Sequence, residues 1–287
     1  MNGVFLINKE KGWTSFDVCA KLRRMFSTKK VGHCGTLDPF AEGLMLVFLG
    51  HATKIIAFTE DKDKVYETTI ELGKETDTLD CTGKVISECE VKDFSNQEIE
   101  NVLHSFLGKS QQMPPMYSAI KNHGVPLYLL AREGIEVDRK AREIEIYSIE
   151  LISYQKPFLS FRVHVSKGTY IRSLAKDIAL KLSTVGHLVT LKRLSIGKYN
   201  LSQAKNVNDV TLQDSLEIKD VLSQFTSVVV DEKTEEMIHN GTKISLERQD
   251  EMLLLLNKKQ QALAIYELRE DGFYYCKRGL FDANNNI

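Results

Sequence analysis

Within the run Gly32-His33-Cys34-Gly35-Thr36-Leu37-Asp38-Pro39-Phe40-Ala41-Glu42-Gly43, three glycines and one proline fall in twelve residues. Proline fixes its own φ, carries no amide hydrogen and pushes the preceding residue toward extended backbone. Asp38 therefore belongs to neither a helix interior nor a regular strand. The glycines at 32 and 35 allow positive φ or close approach of another segment. Such a loop can hold a single carboxylate at the floor of a cleft. A plainer reading also fits, with Asp38 as a helix N-cap and Pro39 as the first helical residue. Its capping box is imperfect, because Ala41 takes the third helical position and Glu42 comes one later. Local spacing alone favours the cap, so any case for chemistry must come from the rest of the chain.

Elsewhere, strand and helix patterns interleave. Val4–Ile7 predicts a short strand ending in the polar turn Asn8-Lys9-Glu10-Lys11-Gly12. Thr14 with Asp17 predicts a capped helix whose apolar stripe is Val18, Cys19, Leu22, Met25 and Phe26. Tyr66–Leu72 alternates, with Tyr66, Thr68, Ile70 and Leu72 on one face of a strand. Ile144–Ile152 and Phe158–Val165 predict a hairpin turning near Lys156-Pro157. Tyr170–Leu182 has helical spacing, with Thr169 placed to cap it. Without a clean β-α-β period, these elements favour an α+β fold with a mixed sheet.

Two stretches stand apart. Residues 111–142 show little periodicity and cluster Lys121, Arg132, Arg139, Lys140 and Arg142. So long an irregular connection is usually functional or mobile. After Tyr199 the chain turns polar. A compositionally distinct tail then follows, with Val228–Val230, a short helix around Glu235–His239 and strand candidates at 252–256, 262–267 and 273–277. The expected division is 1–228 as the main domain and 229–287 as a small β-rich appendage that needs packing on the main body.

Composition narrows the function classes. With a net charge of −1, the chain is no bulk-charge nucleic-acid binder, although a local basic face suffices for RNA. Five cysteines, at 19, 34, 81, 89 and 276, form no Cys-x-x-Cys pair and leave one over, which suits free thiols in a reducing cytosol. The run Val4–Ile7 is too short for a signal peptide, and neither Leu44–Leu49 nor 253–256 can span a bilayer. The expectation is a cytoplasmic protein without membrane contact.

Several residues carry competing readings. Tyr66 is either a core tyrosine or a ring at the lip of a pocket, placed to stack on a flat ligand. Arg172 falls in the first turn of its helix, where a cation opposes the macrodipole. Its nearest downstream acid, Asp177, is five residues away, off the favourable spacing. Arg172 is thus either a solvated surface cation or the partner of a carboxylate from elsewhere in the fold. His33, Cys34 and Asp38 lack a second ligand pair for metal. No Gly-x-Ser-x-Gly elbow, phosphate-binding loop or dinucleotide fingerprint occurs. Arg23, Arg24, Lys29 and Lys30 precede the Asp38 loop, as a solvated face or as phosphate contacts. Lys192-Arg193 adds little by itself.

Four segments in order give this sequence its resemblance to the TruB-type tRNA pseudouridine synthases. Gly32–Gly43 is similar to that family's catalytic motif. Tyr66 with Leu72-Gly73-Lys74-Glu75-Thr76-Asp77-Thr78 resembles its tyrosine motif. Gln112-Met113-Pro114-Pro115-Met116-Tyr117-Ser118-Ala119-Ile120-Lys121, continuing to Gly124, Tyr128, Ala131 and Arg132, resembles the start of its RNA-gripping thumb. Ser166-Lys167-Gly168-Thr169-Tyr170-Ile171-Arg172, with Leu191-Lys192-Arg193-Leu194, resembles its last core motifs. The similarity spans about residues 3–200, and the tail resembles a shortened PUA-like domain more weakly.

The resemblance implies that Asp38 is the catalytic carboxylate, Arg172 its ionic partner and Tyr66 the ring that stacks on the target uracil. It implies that His33 fills the gap left by the extruded base, that Tyr170 and Leu194 line the base pocket, and that Lys121 and Arg132 contact RNA from the thumb. The implied reaction converts uridine 55 of the tRNA T loop to pseudouridine, without metal or cofactor. The implied partner is the T-arm stem-loop alone, with no obligate protein partner and a monomeric enzyme. The sequence departs from the family at Lys9-Glu10, where Lys-Pro is usual, and at Leu46, where Pro is usual. Both changes touch scaffold rather than chemistry. The competing expectations are a non-catalytic RNA-binding or tRNA-remodelling protein, and a guide-RNA-dependent relative, which the short N-terminus and modest tail disfavour.

Overall fold

Strand β1 (Gly3–Lys9) leads through a turn into helix α1 (Ser15–Met25). The Thr14 hydroxyl accepts from the Asp17 amide, while the Asp17 carboxylate accepts from the Thr14 amide, so the expected capping box is present. Val18, Cys19 and Leu22 are buried and Phe26 stacks on Phe5, whereas Met25 at the end of the stripe is exposed. In this computed structural model, residues 2–59 and 62–281 are described, so the last six positions of the expected tail lie outside the described residues.

The next strands, β2 (Val31–Cys34) and β3 (Glu42–Leu49), flank the Asp38 loop. No helix follows Asp38. Asp38 to Ala41 form a turn closed by the Ala41 amide donating to the Asp38 carbonyl at 3.1 Å, with Pro39 in the second position. The reason is the apolar run beyond it: Gly43 through Leu49 are all buried, and a strand covered on both faces replaces the helix. Leu46 pairs with Leu6 on one side and Cys34 on the other, a central position where an amide-bearing residue suits the ladders.

Strand β4 (Lys64–Leu72) alternates as expected, with Tyr66, Thr68, Ile70 and Leu72 buried. There follow the small hairpin β5 (Lys74–Thr76) and β6 (Val85–Glu88), the helix α2 (Asn96–His104) capped by Ser95, and β7 (Gly108–Gln112). The stretch 113–141 is less featureless than its sequence suggests. It carries the two-residue strands β8 (Lys121–Asn122) and β9 (Val125–Pro126) and the short helix α3 (Leu127–Arg132). The expected hairpin is β10 (Arg142–Gln155) with β11 (Phe158–Val165).

Helix α4 (Ile171–Lys181) starts at Tyr170 without a side-chain cap. The Thr169 hydroxyl instead donates to the Ser166 carbonyl, which folds back the preceding turn and corrects the capping expectation. Strand β12 (Gly186–Ile196) is central to the sheet although its sequence shows no clean alternation. Register shifts after Leu188 and Arg193 interrupt the two-residue period. The short strands β13 (Tyr199–Asn200) and β14 (Lys205–Asn206) and the helix α5 (Ile218–Val221) complete the body.

The main sheet runs β14-β1-β3-β12-β4-β11-β10-β7, with β2 and β13 branching from β3 and β12. β1 is parallel to β14 and β12 to β3, while the remaining pairs are antiparallel. This is the mixed sheet of an α+β fold. The helices α1, α2 and α4 bury Leu22, Leu103 and Ile178 on one face.

After α5 come β15 (Thr226–Val229), α6 (Glu232–His239), β16 (Met252–Leu256), β17 (Ala262–Leu268) and β18 (Tyr274–Gly279). Their four-stranded sheet packs Leu254, Leu256 and Ile265 against Val4, Leu6 and Phe48 of the main sheet. Its other face is covered by α6 through Ile238. Among the described residues no helix is long and apolar enough to cross a membrane.

Candidate active site

The Asp38 loop is tied down from two directions. At the start of α1, the Ser15 hydroxyl accepts from the Leu37 amide and donates to the Leu37 carbonyl, and the Gly12 amide donates to the Pro39 carbonyl at 2.7 Å. On β12, Arg193 donates from Nε to the Leu44 carbonyl (2.7 Å) and from Nη2 to the Gly35 carbonyl (3.1 Å), linking the two ends of the loop. Gly43 lies against Arg193 at φ +110°, and a Cβ there would meet the Arg193 carbonyl oxygen at 2.4 Å. Only glycine fits that position.

Asp38 and Arg172 form a two-pronged ion pair, with Oδ2 2.9 Å from Nε and Oδ1 3.2 Å from Nη2. Arg172 is buried at the second position of α4, and the rest of its fork is also engaged. Nη1 donates to the Thr78 carbonyl and lies 3.5 Å from Asp80 Oδ2, and Nη2 also donates to the Tyr117 carbonyl. Asp80 is itself buried and accepts from the Thr78 hydroxyl and from the amide and hydroxyl of Thr82. The guanidinium thus bridges two carboxylates from separate parts of the chain, a task suited to a planar, five-donor group.

The electrostatics of Asp38 are a contest. Burial pushes its carboxyl above the usual range, Arg172 pulls it down, Asp80 pushes it up and Lys9 pulls it down. Lys9 is fully buried, with Nζ donating to the carbonyls of Glu10 and Trp13, and burial lowers its pKa to about 8. Its positive charge favours the ionised form of Asp38.

A cavity of about 260 Å³ opens over the pair, lined by Asp38, Tyr66, Ser118, Tyr170, Leu191 and Arg193 among others. Ligand pockets for larger molecules run from about 300 to 1,000 Å³, so this space suits one flat ring. Asp38 keeps 32% of its side-chain exposure here, whereas Tyr66 is nearly covered, belonging to the core and to the cavity wall at once. Tyr170 is held through its backbone, its amide donating to Gln112 Oε1 and its carbonyl accepting from Gln112 Nε2. Burial raises its phenol pKa.

A second, wider cleft of about 850 Å³ adjoins the first, with Gly35, Thr36 and Tyr170 in both walls. It holds His33, Lys64, Lys109, Arg142 and Lys167, a local basic face on a near-neutral protein. Burial, aided by Arg193, lowers the His33 pKa, and its buried Nδ1 has no hydrogen-bond partner in the protein. No three His, Cys, Asp or Glu side chains converge as a metal site among the described residues.

The structure thus brings Asp38, Tyr66, Tyr170 and Arg172 together and sets His33 in the adjoining cleft. Leu194 is half-buried and outside the cavity lining, because strand alternation turns Leu191 and Arg193 toward it instead. Lys121 and Arg132 are exposed on β8 and α3, away from both linings, with Arg132 over the Tyr128 ring. Sequence reasoning missed Lys9, Asp80 and Gln112 as site residues and underrated Arg193, which is fully buried. The one available signal for Asp80 is the threonine on either side of it, at 78 and 82, a pattern that favours local turns.

Comparison with known proteins adds independent findings. The TruB family pseudouridylate synthase N-terminal domain matches residues 23–171. A tRNA pseudouridine synthase B of Clostridium perfringens is 43% identical over 98% of this chain and 96% of its own. Its namesake from Clostridium acetobutylicum is 39% identical over 96% and 99%. A chain from the crystal structure of a Cbf5-Nop10-Gar1 complex shares the fold, with a TM-score of 0.73 at 21% identity over 98% of this chain and 86% of that one.

Proposed function

This chain belongs to the TruB family of pseudouridylate synthases, and on that premise we propose that it isomerises uridine 55 in the T loop of tRNA to pseudouridine. The observation that carries this reading is the recessed Asp38–Arg172 pair under a ring-sized cavity walled by Tyr66.

The reaction breaks the glycosidic C1′–N1 bond, turns the uracil and joins C5 to C1′, with C5 giving up a proton and N1 gaining one. To reach Asp38 the base must leave its stack, which costs a few kcal/mol. Stacking on Tyr66 offsets part of this, at about 1–3 kcal/mol per base. His33, in the wall of the adjoining cleft, enters the space that the base vacates. Asp38 acts as the ionised carboxylate close to the reacting sugar and base, where positive character develops as the bond opens. Arg172 positions it and keeps it charged. Tyr170 walls the base pocket with Leu191 of β12, which takes the place expected for Leu194, and Lys121 and Arg132 reach RNA phosphates from the thumb. The residues present call for no metal or cofactor, since the chemistry is an isomerisation with one proton exchanged.

In the same reading the body holds the chemistry, and the small sheet, which begins with β15 at Thr226 rather than at the expected boundary of 229, belongs to a PUA-like unit that helps grip the tRNA. The enzyme works in the cytoplasm as a monomer without an obligate protein partner. The deciding experiment uses a T-arm hairpin tritiated at C5 of the target uridine. Wild type is expected to release tritium and Asp38→Asn to release none. Release by neither protein, or equal release by both, rejects the assignment.

A further inference from the structure

Beyond the basic cleft, the outer face of the β10–β11 hairpin carries an aromatic pair that the proposed chemistry does not use. Tyr147 and His164 have ring centroids 4.8 Å apart with planes tilted by 51°. Tyr147 sits in a β-bulge, since Ile146 pairs with Val165 and Ser148 with His164, leaving Tyr147 as the extra residue. Bulges re-aim side chains and recur beside active sites. This one turns a large ring outward, and Tyr147 is 48% exposed. The His164 ring is fixed from behind by an ion-pair-type contact of Nε2 with Asp63 Oδ2. With Asp63, Ser166 and Lys167, the two rings line a shallow open depression.

Its position is informative. Ser166 and Lys167 also line the wider cleft that holds His33, so the depression continues that cleft outward. Lys64, next in sequence to Asp63, lines the cavity over Asp38. A half-exposed ring backed by an anchored imidazole, beside a lysine and at the end of a basic cleft, is the chemistry that receives an unstacked base in single-stranded RNA. Three acidic groups, Asp63, Glu143 and Glu145, border the region. Asp63 is engaged with His164, and Glu143 lies 3.7 Å from Lys109. The local charge therefore favours a base face over a phosphate at the rings.

We propose that Tyr147 and His164 form a stacking shelf for one nucleobase of the bound RNA other than the target uridine. The shelf rests on the RNA-modifying reading above, and it adds a contact outside the reacting site. Stacking of this kind responds to removal of the base, whereas a merely structural cross-strand pair does not.

The test is a coupling measurement. A set of T-arm hairpins, each with one abasic position, is bound to wild type, Tyr147→Ala and Tyr147→Phe. In wild type, one non-target abasic position is expected to weaken binding by about tenfold, the range of single-base stacking. In Tyr147→Ala the intact hairpin binds about tenfold more weakly, and that abasic position costs nothing further. Tyr147→Phe keeps the ring and binds as wild type. Equal abasic costs in wild type and Tyr147→Ala, or a Tyr147→Phe as weak as the alanine variant, overturn the shelf. Tritium release by wild type in the same preparation separates the outcomes: release without coupling rejects the shelf alone, and absence of release rejects the underlying reading.

Discussion

Arg172 has its guanidinium saturated by Asp38, Asp80 and two backbone carbonyls, so it holds the site rather than touching the substrate. Arg172→Lys keeps a cation but replaces the fork with a single ammonium. Burial then pushes the Asp38 carboxyl up against weaker opposition. On the proposed mechanism the ionised form does the work, so the acid limb of the rate profile should move to higher pH, with slower turnover below the plateau. Single-turnover rates of both proteins across the acid range check this, and an unmoved limb counts against the electrostatic role. The Asp38–Arg172 pairing was half legible in the sequence, because no acid near Arg172 stood at helical spacing. Lys9 was not legible and Asp80 only faintly, through its flanking threonines, since the character of both comes from burial by residues far along the chain. Lys192 and Arg193 make the point together. They are adjacent and alike in type, yet Lys192 reaches outward to Glu42 while Arg193 is sealed under the Asp38 loop.

At the scale of elements, the close contact between β3 and β12 depends on the absent side chain of Gly43. Gly43→Ala must relieve both a positive φ and a contact with backbone on β12, at a cost of about 2 kcal/mol or more. The variant is expected to melt at lower temperature and to lose activity in parallel, because the same contact seats the Asp38 loop. Thermal denaturation alongside the tritium assay checks both, and a fully active, wild-type-stable Gly43→Ala would contradict the account. Regular elements were the most legible: β4 and β11 follow their alternation, and α1 follows its capping box. β12 escaped because two bulges break its period and two cations sit within it. The helix expected after Asp38 failed for the opposite reason, since tertiary burial of the run after Gly43 outweighed a local cap signal.

The whole molecule is closed by the small sheet. Leu254, Leu256 and Ile265 cover apolar residues of β1 and β3, the second of which flanks the Asp38 loop. Fully burying such a side chain contributes about 1.5–3 kcal/mol, so the appendage stabilises the body as well as extending it. A chain ending at residue 225, before β15, is therefore expected to lose solubility and melt at lower temperature, in addition to binding RNA more weakly. Sedimentation and thermal denaturation of the shortened chain check this, and a soluble protein with wild-type melting would show that the body closes alone.

Arg193 pairs in register with Gly43 on one side and Tyr66 on the other. The loop that carries Asp38 and the strand that carries Tyr66 are thus indexed to the same residue. A surface connection such as residues 133–141 can change length over generations without disturbing that index. One residue gained or lost within β12 cannot, because it would bring Lys192 or Leu194 into the place of Arg193. Homologous chains should therefore differ in length around the site and stay gapless along this strand.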